Sequence, residues 1–260
     1  MIFTKKEKDV TSVTSTHSFG SIKDYLATRS ILIESTGETD EKYNNAALAA
    51  FAGKLSDLQL KGGDPFIKYV RTAIAQKNYR CNFSLNHLTD EEQKTCIDIA
   101  NMLCSIDALV NASEQNGVIY GHFNLESPRL INFLNGDFAE IAIFTAAKRV
   151  LTEYAHSHKI TFELLPNLIA SSPAGKREYD LLVRVGNEFY VIEVKSGKAE
   201  NFLYYKKRGL ELGLFPHHQI LVTSDRSETD LELISYFDEF HLVSPANFEE
   251  KFLHILHNNK

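Results

Sequence analysis

The chain has few cysteines and no long apolar run. Its three cysteines form neither an even disulfide framework nor a Cys-x-x-Cys pair, so we expect reduced thiols that contribute to packing. No apolar stretch approaches the roughly 20 residues that a membrane span needs. The charged start of the chain is also unlike a signal peptide. These absences predict a cytoplasmic protein without a membrane partner.

Two common catalytic motifs are absent as well. The sequence has no glycine-rich phosphate-binding loop and no Gly-x-Ser-x-Gly nucleophile turn. A formal net charge of −6 argues against a protein that binds nucleic acid over its whole surface, although a nuclease needs only a local basic strip. With 260 residues, of which 43% are hydrophobic, the chain can bury one substantial core.

The most informative pattern is a predicted hairpin over residues 178–195. Two runs rich in β-forming residues flank Gly186 and Asn187, a pair suited to a tight two-residue turn in which glycine takes a positive φ. This turn places Val185 opposite Glu188 and thereby sets the register of the hairpin.

The register brings four charged residues together. Asp180 falls opposite Glu193, and Glu178 falls opposite Lys195. Because side chains alternate along a strand, all four share one face. Two facing carboxylates repel each other, so their position at the end of an apolar run predicts a divalent cation that they chelate. The alternative is the wet face of a half-exposed strand, with an ordinary cross-strand ion pair.

The pattern resembles the active-site signature of the PD-(D/E)xK nuclease superfamily, because Asp180 is followed, after a short gap, by the triplet Glu193-Val194-Lys195. The segment 133–140 resembles the helix start of the nuclease domain in Card1-like proteins of CRISPR defence (the DUF1887 group). Residues 193–213 resemble the stretch that follows the motif in that group. The resemblance covers about residues 115–245. Tyr179 stands where the superfamily motif has proline.

The resemblance implies a restriction-endonuclease-like α/β fold, with a core that runs helix, three strands, helix, strand. It also implies that Glu140, an acid at the start of the first core helix, completes the metal shell. The other reading of Glu140 is a first-turn acid favoured by the helix dipole. The group's usual N-terminal sensor for cyclic oligoadenylate is not evident here, so a cyclic oligonucleotide activator is not supported by the visible N-terminal sequence.

A hard cation suits these ligands. Asp180 and Glu193, with the Val194 carbonyl and the helix acid, would hold Mg²⁺ or Mn²⁺ in an all-oxygen shell. Lys195 would orient the attacking water and stabilise charge in the transition state. Glu178 would either bind a second metal or form a salt bridge with Lys195, and the salt bridge is the preferred reading.

A basic strip near the hairpin would contact the nucleic acid. The alternative is an ordinary solvated helix face. The members of the strip would be Lys198, Lys206, Lys207 and Arg208 after the hairpin, and Lys176 and Arg177 before it.

The chain divides into three parts by composition and periodicity. Residues 1–42 are polar and predict a partly ordered arm. Residues 43–115 predict a helical region, with a helix break at two consecutive glycines and a capping box at Thr89. Residues 116–260 predict the nuclease-like domain, in which residues 136–223 run helix, strand, strand, strand, helix, strand. The apolar faces of the N-terminal helices have no obvious partner sheet, so these helices must pack on the nuclease core or on a second copy of the chain. The family resemblance favours the second copy and thus implies a homodimer.

These observations favour a metal-dependent endonuclease that cleaves DNA, RNA or both in defence against phage or plasmids. Two alternatives remain open. One is a catalytically silent nuclease fold that serves as a binding or assembly module. The other is a restriction or junction-resolving DNA endonuclease.

Overall fold

Two sheets organise the protein, for which a computed structural model describes residues 20–197, 199 and 201–258. The larger sheet has six strands in the order β1-β5-β6-β7-β8-β9. Strands β1, β5, β6 and β7 pair antiparallel, whereas β7, β8 and β9 pair parallel. Their bounds are β1 Leu32–Ser35, β5 Phe162–Ser172, β6 Gly175–Val185, β7 Glu188–Lys195, β8 Gln219–Thr223 and β9 His241–Val243.

Helices cover both faces of this sheet. Helices α7 and α10 pack on one face, while α1 and α9 pack on the other. From α7 to β8 the chain runs helix, strand, strand, strand, helix, strand, so the predicted core order is confirmed. The bounds are α1 Ile22–Ala27, α2 Glu41–Asn44, α6 Pro128–Asn132, α7 Phe138–His158, α8 Phe202–Glu211, α9 Glu228–Asp238 and α10 Phe248–Asn258.

A smaller sheet of three antiparallel strands lies in the N-terminal half, in the order β2-β4-β3. Three helices accompany it, and the chain order is helix, helix, strand, helix, strand, strand. The helix break is confirmed at Gly62, whose φ is 112°, and the capping box is confirmed at Thr89. The bounds are α3 Ala46–Leu58, α4 Asp64–Ala75, β2 Arg80–Ser84, α5 Asp90–Ser105, β3 Leu109–Gln115 and β4 Val118–Phe123.

The sequence reading of residues 43–115 as helical therefore misses strands. Helix α5 ends at Ser105, and the chain then turns at Asp107, whose φ is positive, to enter β3. Asn116 and Gly117 also have positive φ values and link β3 to β4. This turn, like the one at Gly186 and Asn187, consists of one Asn and one Gly, but in the latter only Gly186 has a positive φ.

The predicted polar arm also contains regular structure. Residues 1–19 lie outside the described part of the chain, but α1 and β1 fall within residues 20–42. Strand β1 pairs with β5, and Tyr25 of α1 stacks on Phe189 of β7 with ring centroids 3.9 Å apart. This part of the predicted arm thus belongs to the larger sheet.

One core joins the two halves. Leu55 and Phe66 of the N-terminal helices belong to the same buried cluster as Phe138 and Leu151 of α7. The N-terminal helices therefore pack on the nuclease core of their own chain, which is the first of the two alternatives given above, so their apolar faces do not argue for a homodimer. The stretch Pro128–His158 is long and apolar enough to cross a membrane, but much of it is buried in this core.

Candidate active site

The hairpin forms in the predicted register. Val185 pairs with Glu188, and Gly186 in the turn has a φ of 59°. The ladder between β6 and β7 continues to the pair Leu181 and Ile192 and ends there. Past this point β6 remains paired with β5, while β7 pairs with β8.

The end of this ladder positions the carboxylate of Asp180. Its Oδ2 accepts a hydrogen bond of 2.7 Å from the backbone N–H of Val194. The same oxygen lies 3.8 Å from the Nζ of Lys195. Asp180 is only 9% exposed, so its charge is held at the point where the two strands part.

Glu193 lies deeper than Asp180, at 3% exposure. Its Oε2 accepts a hydrogen bond of 3.0 Å from Nη1 of Arg208, while its Oε1 is buried and has no hydrogen-bond partner among the described residues. Burial, followed by the charge of Asp180, raises the pKa of Glu193 to about 8, while Arg208 and Lys195 oppose the rise. Burial and the neighbouring carboxylate thus disfavour the ionised form of Glu193 in the absence of a cation.

Glu140 lies in the first turn of α7. Burial, followed by the charge of Asp180, raises the pKa of Glu140 to about 7. Lys42 of α2 opposes this effect, because its Nζ lies 3.7 Å from Oε2 of Glu140 and 3.4 Å from Oδ2 of Asp137. Glu140 therefore lies close enough to Asp180 for the charge of Asp180 to raise its pKa, and its role as a metal ligand stays a prediction.

Lys42 is a residue of the site that the sequence does not reveal. It precedes Asp180 by more than a hundred residues and lies in a four-residue helix with no motif around it. A cleft of about 1080 Å³ opens beside Lys42 and Asp137. Only the fold brings this lysine to the carboxylates.

Lys195 contacts both the acids and an aromatic ring. Burial lowers its pKa, but the charges of Asp180 and Glu193 together raise it above the ordinary value. Its Nζ also lies 5.6 Å from the ring centroid of Tyr205. Lys195 is thus held as an ammonium ion at the edge of the acidic pair.

Glu178 does not lie with Asp180, Glu193 and Lys195, although the predicted hairpin register places it there. It is exposed and pairs across the ladder with Ile169 of β5. The predicted salt bridge with Lys195 is wrong, because Lys195 forms its ion pair with Asp180. The reason is the parting of the strands: beyond Leu181 the residues of β6 no longer face those of β7.

The basic residues after the hairpin do not form one exposed strip. Lys206 donates to the carbonyl of Asp238 at 2.7 Å, and Lys207 is exposed. Arg208 points inward to Glu193 and lies over the ring of Tyr179, with 5.1 Å to its centroid. One turn of α8 therefore divides these residues between three environments. Lys198 lies outside the described residues.

The basic residues before the motif already have acidic partners. Lys176 forms an ion pair with Glu34 of β1. Arg177 lies 3.3 Å from a carboxylate oxygen of Glu211 at the end of α8. Contact of these two residues with nucleic acid stays a prediction, and it would require them to leave or share these partners.

The donor set fits a hard divalent cation in its chemistry. All candidate ligands are oxygens, and Oε1 of Glu193 is buried without a hydrogen-bond partner among the described residues. After burial, the charge of Asp180 contributes most to the raised pKa values of Glu140 and Glu193. Within the described ranges no group of three or more His, Cys, Asp or Glu side chains is already arranged as a metal site. Asp180 and Glu193 would therefore be the protein's principal ligands for Mg²⁺ or Mn²⁺, with the Val194 carbonyl and Glu140 as proposed additions.

The raised pKa values predict how stability depends on pH. In the unfolded chain a glutamate ionises near 4.5, whereas folded Glu193 ionises near 8. The folded protein therefore binds more protons between these values, and without metal its melting temperature is expected to fall as the pH rises across this window. Differential scanning calorimetry from about pH 5 to about pH 9 measures the fall.

The matched variant for this measurement is Glu193→Gln, which cannot ionise and should flatten the curve. Mn²⁺ should raise the melting temperature of the wild type more at about pH 9 than at about pH 6, because the cation competes with protons for the carboxylates. Equal slopes for the wild type and Glu193→Gln would contradict the assigned pKa shift.

Comparison with known proteins gives similarities of fold only. No protein-family model and no curated protein matches the sequence. Protein VC1899 from Vibrio cholerae matches 90% of this chain and 60% of its own, with a TM-score of 0.57 and 17% identity. Can2 from Sulfobacillus thermosulfidooxidans, solved in complex with cyclic tetra-adenylate, matches 91% of this chain and 61% of its own, with a TM-score of 0.58 and 14% identity. The chain thus shares its α/β fold with these two proteins and spans about three fifths of their length.

Proposed function

We propose that the protein is a metal-dependent endonuclease of the PD-(D/E)xK type, which hydrolyses phosphodiester bonds of DNA or RNA with Mg²⁺ or Mn²⁺. One observation carries the proposal. Two buried carboxylates, Asp180 and Glu193, lie where adjacent strands part, and Lys195 lies 3.8 Å from the first of them. A buried acid whose pKa is raised by burial and by a neighbouring carboxylate is typical of sites that bind a cation or perform acid and base chemistry.

Each residue has a defined task in this proposal. Asp180 and Glu193 hold the cation, which when bound would supply positive charge for phosphodiester hydrolysis. Lys195 supplies an ammonium group beside Asp180, and it orients the attacking water and stabilises the charge that develops on the phosphate. None of these groups contacts a base, so we expect little sequence preference.

The first experiment is a cleavage assay on single-stranded and duplex DNA and RNA. Each substrate is incubated with the protein and Mn²⁺, with Mg²⁺, or with a chelator. We expect cleavage of at least one substrate that depends on the divalent cation. The Can2 structure contains cyclic tetra-adenylate, so that compound is the first activator to add. No cleavage under any of these conditions would contradict the proposal.

Replacing Lys195 with Met should reduce turnover much more than nucleic-acid affinity. Its contact with Asp180 places it at the scissile phosphate in the proposal, so its charge acts mainly in the transition state. We expect kcat to fall by roughly a hundredfold or more, with a change in Kd of a few fold at most. Single-turnover kinetics and fluorescence anisotropy separate the two effects. Equal losses in kcat and affinity would reassign Lys195 to general nucleic-acid binding.

A silent nuclease fold is the second candidate. Arg208 already bonds one oxygen of Glu193, and the described residues contain no ready three-residue metal group. A protein of this kind would bind nucleic acid without cleaving it and would gain no thermal stability from Mn²⁺. The melting temperature with and without Mn²⁺ therefore distinguishes the two functions before any substrate is known.

A role in defence and a homodimeric state complete the proposal. The fold shared with Can2 supports the first, because Can2 binds a cyclic oligonucleotide. For the second, Leu233, Tyr236 and Phe237 of α9 are at least 57% exposed. Such exposed apolar side chains on one helix are typical of protein interfaces. Light scattering of the full chain measures the oligomeric state.

A further inference from the structure

Arg71 of α4 reaches from the N-terminal half to the candidate active site. Its Nε donates to the carbonyl of Leu134 at 3.1 Å, and its Nη1 donates to the carbonyl of Ser196 at 2.6 Å. Its guanidinium also lies 5.5 Å from the ring centroid of Phe138. One side chain thus bonds two backbone segments that are about sixty residues apart in the chain.

Both of these segments lead directly to candidate site residues. Leu134 lies in the turn that precedes α7, whose first turn carries Glu140. Ser196 directly follows Lys195 at the end of β7. The two segments also run close together, since a Cβ added to Gly136 would lie only 3.4 Å from Oγ of Ser196.

A guanidinium is suited to hold such a junction. It is planar, always charged, and presents its donors in a fixed fork, so two bonds to two carbonyls fix the segments in distance and in orientation. Nη2 of Arg71 is buried and has no hydrogen-bond partner among the described residues. A buried cation with incomplete hydrogen bonding is costly. An apolar residue would fill this position at lower cost if packing were its only task.

We propose that Arg71 is a positioning residue of the nuclease site. It holds the end of β7, with Lys195, against the start of α7, with Glu140, and so fixes the separation of these two groups. The inference rests on the nuclease function proposed above. It also makes the activity of the C-terminal part depend on a helix of the N-terminal half.

The test compares Arg71→Met and Arg71→Lys with Lys68→Met, a variant of an exposed lysine on the same helix. We expect kcat of Arg71→Met to fall by roughly tenfold to a hundredfold, as for other residues that orient catalytic groups. The KM for nucleic acid should change less than threefold. Arg71→Lys keeps one donor group but loses the fork, so its kcat should lie between that of the wild type and that of Arg71→Met. Lys68→Met should match the wild type.

A second measurement does not depend on activity. Hydrogen exchange of peptides that cover residues 134–140 and 193–197 should become faster in Arg71→Met and stay unchanged in Lys68→Met. If Arg71→Met does not fold, Arg71→Lys provides both measurements. Unchanged exchange and an unchanged kcat would overturn the positioning role. Faster exchange in a protein whose wild type neither cleaves nucleic acid nor responds to Mn²⁺ would instead overturn the nuclease function on which the role rests.

Discussion

Replacing Asp180 with Asn is expected to abolish metal-dependent cleavage while the protein stays folded. Oδ2 of Asp180 accepts the N–H of Val194, and an Asn oxygen can accept the same bond without the charge. An Ala at this position would leave that buried N–H without a partner, at a cost of about 1–3 kcal/mol. Asn therefore separates the loss of cation binding from the loss of a structural hydrogen bond. We expect kcat to fall by roughly a thousandfold or more.

Glu193→Gln should give the same loss of cleavage with even less structural change. Because its pKa is about 8, Glu193 is largely protonated at neutral pH in the metal-free protein, so Gln resembles its resting state. Gln also retains an oxygen that can accept the hydrogen bond of Arg208. Deletion of the side chain would leave the buried guanidinium without this hydrogen-bond acceptor, which is destabilising.

Two measurements on each variant check this expectation. The first is the cleavage rate, and the second is the melting temperature with and without millimolar Mn²⁺. Glu178→Gln is the matched control, since Glu178 lies on the same strand as Asp180 but is exposed. It should keep both the activity and the response to Mn²⁺. A wild type without any response to Mn²⁺, or a Glu178→Gln variant as inactive as Asp180→Asn, would contradict this assignment of the metal ligands.

The hairpin could be predicted from the sequence because its information is local. Gly186 and Asn187 determine the turn, and the turn determines the register as far as Leu181 and Ile192. The parting of the strands beyond this pair is not local. Beyond this pair β6 stays paired with β5, and β7 stays paired with β8, whose residues lie more than twenty positions further along the chain. Consequently Asp180 and Lys195 could be expected near each other, but not as a direct ion pair.

Other parts of the site depend on contacts that no local pattern encodes. Lys42 and Arg71 reach it from separate helices of the N-terminal half. The interior position of Arg208 depends on how α8 packs on the sheet. Strand β1 shows no apolar alternation, and its Leu32 is 68% exposed, so periodicity could not reveal it. Periodicity predicts core helices and central strands because burial selects their residues, and it is weakest for edge strands.

A fragment of residues 125–260, which contains most of the predicted nuclease-like domain (residues 116–260), is expected not to fold. The N-terminal residues cover both faces of the larger sheet. On one face Tyr25 stacks on Phe189, with ring centroids 3.9 Å apart. Next to the other face, the ring centroids of Tyr43 and Phe144 of α7 are 4.8 Å apart. Truncation would expose these apolar surfaces and remove β1, so we expect an insoluble product or one without a cooperative unfolding transition.

Point variants in the full chain test the same dependence without a truncation. Phe66 of α4 is fully buried in the core that joins the two halves, and Phe66→Ala should lower the free energy of unfolding by about 3–5 kcal/mol. Tyr120 of β4 lies in the same half but is 40% exposed, so Tyr120→Ala should change the free energy of unfolding by about 0.5 kcal/mol at most. Denaturant unfolding, followed by circular dichroism, measures both. A soluble fragment 125–260 that unfolds cooperatively and cleaves nucleic acid would contradict the single core, because the nuclease-like part would then be stable without the helices that cover it.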